Sequence, residues 1–213
     1  MAEYKNFTLK QRSPVAVIEI NRPKKFNTLN TEVWQEMDLL VQEIERDEEI
    51  RCVVLTGAGP IFSAGIDMAF LEETSPQWAA RTLPWLQSIN NRWANLPQPV
   101  IAAINGKCYG AGAELALCLD MRIADTDAEF WIAEVKFGLS PDMGASQRLG
   151  RLVGPSQAKR LLLGCEKINA QDALRIGLVD EIVEPSRLLE RAVEFANIIA
   201  NQPPVAVRMA KKA

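Results

Sequence analysis

The sequence predicts a single α/β domain with largely parallel strands, and three observations predict it. Short β-branched runs alternate with segments of helical period, the order that βαβ units produce. Two strand-like runs leave through glycine-bearing turns, at 65 and at 110–112, as strands do at the ligand-binding edge of an open α/β sheet. No internal repeat, low-complexity tract or linker interrupts the 213 residues, a length that buries a substantial core.

The elements follow in order. "VAVIEINRP" (15–23) is a β-branched run ended by a proline turn, hence a strand. Thr31 is placed to cap a helix whose Val33, Met37, Leu40, Val41 and Ile44 recur at helical spacing. "CVVLTGAG" (52–59) is a buried strand running into a glycine turn, and "PIFSAGIDMAFLEET" reads as a loop. A helix begins near Ser75-Pro76, where proline suits the first helical position, and runs to about Asn95 with an expected kink at Pro84. "PVIAAING" (99–106) is a third strand, leading into a glycine turn and a short helix. "DMRIADTDAEF" is a fourth strand and 134–144 a loop. "GASQRLGRLVG" and "PSQAKRLLLG" are two helices parted by Gly154-Pro155. Asn169 caps "AQDALRIG", "LVDEIVEP" is a short strand, and Ser186 begins the next helix. The closing "PPVAVRMAKKA" reads as a helix barely started.

Composition narrows the chemistry. Hydrophobic residues are 48% and charged residues 24%, the balance of a soluble globular protein. A net charge of −3 gives no footprint for nucleic acid or an anionic membrane, and no apolar run is long enough to span a bilayer. The opening "MAEYKNFTLKQ" has no signal-peptide core and carries an early acid, so a cytoplasmic protein is expected. There is no histidine, which excludes Ser-His-Asp and Cys-His catalysis and makes a metal site unexpected. Cys52, Cys108, Cys118 and Cys165 lack CxxC spacing and read as reduced, mostly buried thiols. Proton chemistry therefore rests on carboxylates, Lys, Tyr or Cys.

"INGKCYGAGAELAL" (104–117) is where chemistry is expected. Strand, glycine turn and helix start aim unpaired N–H groups and the positive end of a helix dipole at one point. Leu115 stands where a dinucleotide fingerprint needs a small residue, and no Gly-Lys-Ser/Thr closes a phosphate loop. An oxyanion, such as a thioester oxygen turning negative during reaction, remains. The plain alternative is that the small residues merely let a helix pack closely. "FSAGIDM" (62–68) is a second exit of the same kind, and the pair says more than either alone.

"NRPKKFNTLN", "FSAGIDM", "PQPVIAAINGKCYGAGAELALCLDMRIAD" and "EVKFGLSPDMGASQRLGRLVG" resemble, in order, segments of the crotonase superfamily, the enoyl-CoA hydratase/isomerase family. The later "INAQDALRIGLVDEIVEP" and "PPVAVRMAKKA" also fit. The resemblance implies the crotonase fold, repeated β-β-α units with largely parallel sheets flanked by helices. It implies a substrate carried as a coenzyme A thioester, with no separate cofactor. By position, the oxyanion-binding N–H groups fall on Ile66 and Ala111, the latter standing where a glycine is usual. Ala64, the segment Ile66 to Ala69 (Ile66, Asp67, Met68 and Ala69), and Gly110 with Ala111 would line the acyl-thioester. Lys24 and Lys25 would lie near the CoA nucleotide. Glu114 and Glu134 match the two glutamates that flank a water in hydratases; two like charges in one cleft would raise one pKa.

Asp142 departs from the hydratase pattern, in which a small residue is usual, and resembles the dienoyl-CoA isomerase branch, as does "AGIDM". There an acid pair shuttles a proton along a diene. The other reading of Asp142 is a loop acid capping the helix that starts near Gly144. Hydration of a 2-enoyl-CoA by Glu114 and Glu134 is the first expectation, and isomerisation by Glu134 and Asp142 the second. A third is a non-catalytic relative that binds acyl-CoA or a protein partner, which the presence of both glutamates disfavours. The family implies a trimer or a hexamer of trimers, although its C-terminal trimerisation helices are expected to be missing or cut short here. Trp78, Trp85 and Trp93 lie at helical spacing and read as core before acyl-pocket wall.

Overall fold

A computed structural model describes residues 4–11, 13–72 and 75–213. The chain opens with a hairpin of β1 (Phe7–Gln11) and β2 (Val15–Ile20), followed by α1 (Thr31–Arg46) and β3 (Cys52–Gly57). Next come β4 (Ile61–Ser63), α2 (Met68–Glu72), α3 (Pro76–Asn95), β5 (Val100–Ile104), β6 (Lys107–Tyr109) and α4 (Ala111–Ala116). The second half holds β7 (Met121–Asp125), β8 (Glu129–Trp131), α5 (Ala145–Gly164), β9 (Ile168–Asn169), α6 (Ala170–Arg175), β10 (Glu181–Val183), α7 (Leu188–Ala200) and α8 (Pro204–Lys212).

Two sheets result. The larger has the order β1-β2-β3-β5-β7-β10, antiparallel between β1 and β2 and parallel thereafter. The smaller has the order β4-β6-β8-β9, with β4, β6 and β8 parallel and β9 antiparallel. Three times, at β3–β4, β5–β6 and β7–β8, the chain steps from a strand of the large sheet to one of the small. That step, repeated before helical segments, is the β-β-α unit that the resemblance implied. Because β4 and β6 pair in parallel, their exits emerge side by side.

The large sheet is buried on both faces, so its strands read as continuous apolar runs. Ala16, Ile18, Val53, Leu55, Ala102 and Ile104 face the main core, with Trp34 and Met37 of α1 and Leu86, Ile89 and Trp93 of α3. Their alternate neighbours Val15, Val17, Cys52, Val54, Ile101 and Ala103 face α7. There Ala192, Ala196 and Ala200, one every fourth residue, present a flat face to the strands.

Several expectations are corrected. Asn30, not Thr31, caps α1: its Oδ1 accepts the Val33 N–H at 3.0 Å. Strand β1 was not foreseen, β4 lies in the expected loop, and the fourth strand divides into β7 and β8 at a turn. The 134–144 loop begins with a 3-10 turn over Glu134–Phe137. Helix α3 runs on through Pro84. The two helices expected at 144–164 form α5, broken where expected, at Gly154 with φ 78° and ψ 158°. A 3-10 turn, Pro185–Arg187, precedes α7 where Ser186 was expected to start it. Asn169 caps α6 as expected, and α3 begins at Pro76 as expected, with Ser75 as its cap.

Candidate active site

The glycines at the two strand exits have different tasks. Gly110, between β6 and α4, has φ 47° and ψ −123°, a backbone that side-chain-bearing residues avoid. Its N–H donates to the Trp131 carbonyl at 2.7 Å, which pins the exit to β8. Ala111 is then the first residue of α4, where N–H groups have no intrahelical acceptor, and its N–H has no partner among the described residues. Gly112 serves packing: a Cβ there would lie 2.6 Å from Ser63 Cβ, so only glycine lets α4 seat on β4. The close-packing alternative thus holds for Gly112 and leaves Ala111 aside.

Gly65 brings the second exit beside the first. It has φ 95°, and a Cβ on it would lie 2.8 Å from the Tyr109 carbonyl and 3.4 Å from the Ala111 nitrogen. Leu29 brackets Ile66, donating its N–H to the Gly65 carbonyl at 2.8 Å and accepting the Asp67 N–H at 2.9 Å. This pattern leaves the Ile66 N–H without a partner among the described residues. Two unpaired amides on adjacent exits therefore border one space.

Three carboxyl groups border the same space. Glu114, on α4, is wholly buried, and its Oε1 accepts the Ala145 N–H at 2.9 Å and the Met143 N–H at 3.2 Å. Burial pushes its pKa up to about 8; the Ala145 amide opposes the rise, while the Glu134 and Asp142 charges add to it. Glu134 opens the 3-10 turn after β8, and its Oε2 is buried without a partner among the described residues. Its other oxygen lies 3.2 Å from where a Gly110 Cβ would stand, so Gly110 also makes room for this carboxylate. Burial raises the Glu134 pKa, its own amide lowers it, and the Asp142 charge raises it again. Asp142 is half-buried, and burial raises its pKa too.

Asp142 does not cap α5. The cap position belongs to Gly144, which has no side chain to offer, and the Glu114 carboxylate receives the amides around that helix start. One buried acid thus takes the capping task that sequence reading had given to another.

The cleft between these groups has a volume of about 520 Å³, within the range of ligand sites. Ala64, Ile66, Met68, Gly110, Ala111, Glu114, Glu134 and Asp142 all line it. Lys24 and Lys25 do not; they lie exposed in the 3-10 turn Pro23–Lys25. Asp67 turns instead to Arg22, with Nη2 at 3.3 Å, and to the Thr28 hydroxyl at 3.2 Å, while Ala69 is exposed outside the lining.

Sequence reading missed one wall. Tyr109 and Trp131 are register partners on β6 and β8, their rings 5.5 Å apart and edge to face, and both line the cleft. The Lys167 ammonium sits 4.8 and 4.9 Å from the two ring centres. The three tryptophans divide: Trp93 is core, Trp85 packs against the core partly buried, and Trp78 lines the cleft edge to face with Phe70. Cys52, Cys108 and Cys118 are buried free thiols and Cys165 is half-buried. Among the described residues no group of three potential ligands could hold a metal ion, and no helix is long and apolar enough to cross a membrane.

Comparisons with known proteins agree with this architecture. The family model described as enoyl-CoA hydratase/isomerase matches residues 10–213. A short-chain-enoyl-CoA hydratase of Clostridium acetobutylicum is 43% identical over 99% of this chain and 81% of its own length. A mitochondrial Delta(3,5)-Delta(2,4)-dienoyl-CoA isomerase of Mus musculus is 35% identical over 91% of this chain and 63% of its own. The crystal structure of an enoyl-CoA hydratase from Bacillus anthracis superposes with a TM-score of 0.94 at 35% identity, covering 98% of this chain and 81% of that one. The chain belongs to the enoyl-CoA hydratase/isomerase family of crotonase-fold enzymes.

Proposed function

We propose that the protein adds water across the double bond of a 2-enoyl-CoA. The observation that carries this is the convergence of Glu114 and Glu134, both with raised pKa, on a cleft bordered by the unpaired Ile66 and Ala111 amides. The thioester oxygen sits between those two N–H groups, which strengthen their hold as it becomes an enolate oxygen. Glu134 protonates the α-carbon, since Gly110, beside its Oε1, leads directly to Ala111. Glu114, in its ionised form, takes the proton from the water whose oxygen bonds to the β-carbon, so this step gains as pH rises toward 8. One proton enters the pair from water and one leaves it for carbon, so the pair's proton count is unchanged, and a proton passes from Glu114 back to Glu134 by way of solvent before the next turnover. General acid–base groups of this kind contribute about 10²–10⁴-fold each.

The hydratase relative at 43% identity supports this reading over the alternatives. A second reading rests on Asp142: it lines the same cleft beside Glu134, and its charge raises that group's pKa. In that reading Glu134 and Asp142 move a proton along a 3,5-dienoyl-CoA. Glu134→Gln tests the shared part, because it should abolish turnover while leaving acyl-CoA binding intact; full activity would remove Glu134 from the mechanism.

A further inference from the structure

Glu114 is held by the backbone amides of Met143 and Ala145, and the backbone around them is itself held from the opposite side. Gln87 and Asn90, one turn apart on α3, reach the loop before α5. Gln87 Nε2 donates to the Asp142 carbonyl at 2.7 Å, and Asn90 Nδ2 donates to the Met143 carbonyl at 3.0 Å. Asn90 is wholly buried, and its Oδ1 has no partner among the described residues. A buried amide with an unsatisfied oxygen is costly, so an apolar side chain would suit that position better if packing were its only task. Gln87, by contrast, is exposed at the surface.

We infer that Asn90 and Gln87 are positioning residues that clamp the 142–145 backbone from α3, and so fix Glu114 and Asp142 in the cleft. The clamp works because each peptide plane is rigid. The Asp142 carbonyl shares its plane with the Met143 N–H that donates to Glu114, and the Met143 carbonyl belongs to the next plane, which joins that peptide to the one carrying the Ala145 N–H. The carboxylate on α4 is thereby tied, through the 142–145 backbone, to a helix that also lines the cleft with Trp78 and Leu83. Binding wall and proton-transfer group are held in one frame, and a displacement of about 1 Å at such a frame costs about a hundredfold in rate.

The inference rests on the hydratase reading for its rate effect but not for its structural part, and the experiment separates the two. Wild type, Gln87→Ala and Asn90→Leu are compared for kcat and KM on crotonyl-CoA, for thermal midpoint, and for amide hydrogen exchange across 140–148. Asn90→Leu should lower kcat about 30- to 100-fold with KM within about threefold, and should speed exchange at Met143 and Ala145. Gln87→Ala, a surface change that leaves the core intact, should lower kcat several-fold with an unchanged midpoint. A lowered midpoint with kcat and local exchange unchanged in both variants would overturn the clamp and leave Asn90 a core residue. Wild type inert on crotonyl-CoA would overturn the hydratase reading alone, since faster exchange at Met143 and Ala145 would still support the clamp and unchanged exchange would refute it.

Discussion

Replacing Ala111 by proline removes one hydrogen-bond donor from the cleft and puts the ring Cδ where that N–H pointed, while leaving the rest of the site in place. Ala111 is the first residue of α4, where proline is well tolerated because that N–H has no intrahelical acceptor. Here the N–H has no partner of any kind among the described residues, so no hydrogen bond of the folded chain is lost. Gly110 precedes it with ψ −123°, an extended value that keeps its own nitrogen clear of the ring. Glu114 and Glu134 keep their chemistry, and Gly112 keeps its seat on Ser63. Ala111 is 3% exposed, so the oxyanion would face the amide in a largely water-excluded place. Losing one such donor costs about 3 kcal/mol, or about a hundredfold to a thousandfold in kcat, and the ring Cδ makes this the least loss expected. The assay follows loss of the enoyl-thioester absorbance of crotonyl-CoA, with circular dichroism to confirm the fold. Turnover within about threefold of wild type, in a folded Ala111→Pro protein, would refute the oxyanion role of that amide.

Other outcomes follow from the same geometry. Glu114→Ala should be less stable than Glu114→Gln, because Gln keeps an acceptor for the buried Ala145 amide and Ala leaves it orphaned, at about 1–3 kcal/mol; equal thermal midpoints would deny the cap. Glu114 has a folded pKa near 8, above its unfolded value, so its stabilising contribution is present in acid and lost as pH rises through 8. Denaturant titrations of wild type should therefore weaken from about pH 5 to pH 9, with Glu134 and Asp142 acting in the same direction, and Glu114→Gln should flatten the trend. Gly112→Ala should lower both stability and activity, since its Cβ would overlap Ser63; overpacking of this kind costs about 1–3 kcal/mol, a fall of several degrees in thermal midpoint. Asp142→Asn should leave hydration of crotonyl-CoA within a few-fold, and a loss as large as that of Glu134→Gln would show that Asp142 takes part in hydration.

What the sequence made legible depended on how local each signal was. The proline start at Pro76, the cap at Asn169 and the break at Gly154 are one-residue rules, and they hold. The long strands β3 and β5 announce themselves as apolar runs because both faces of the sheet are buried. Strands β4, β6, β8 and β9 have three residues or fewer, too few to carry a period of two, so they were read as loops, turns or ends of neighbours. At the site, the two exits were legible in their glycine turns, Glu114 and Glu134 were named through the family resemblance, and all line one cleft. The supports of Glu114 could not be read: its donors are backbone amides 29 and 31 residues along the chain. Asn90 gave no warning either, for an asparagine inside an amphipathic helix looks like any polar-face residue until the fold buries it. Tyr109 and Trp131 become one wall only through the register of β6 with β8.

The most direct test of the account is incubation of the purified protein with crotonyl-CoA in ¹⁸O-labelled water, followed by absorbance and mass spectrometry, beside a parallel sample of a 3,5-dienoyl-CoA. Hydration by Glu114 and Glu134 predicts loss of the enoyl-thioester absorbance and one labelled oxygen on the β-carbon, both abolished in Glu134→Gln. Unchanged crotonyl-CoA, together with a rising conjugated-dienoyl signal from the second substrate, would contradict the hydratase assignment and make Glu134 and Asp142 the working pair.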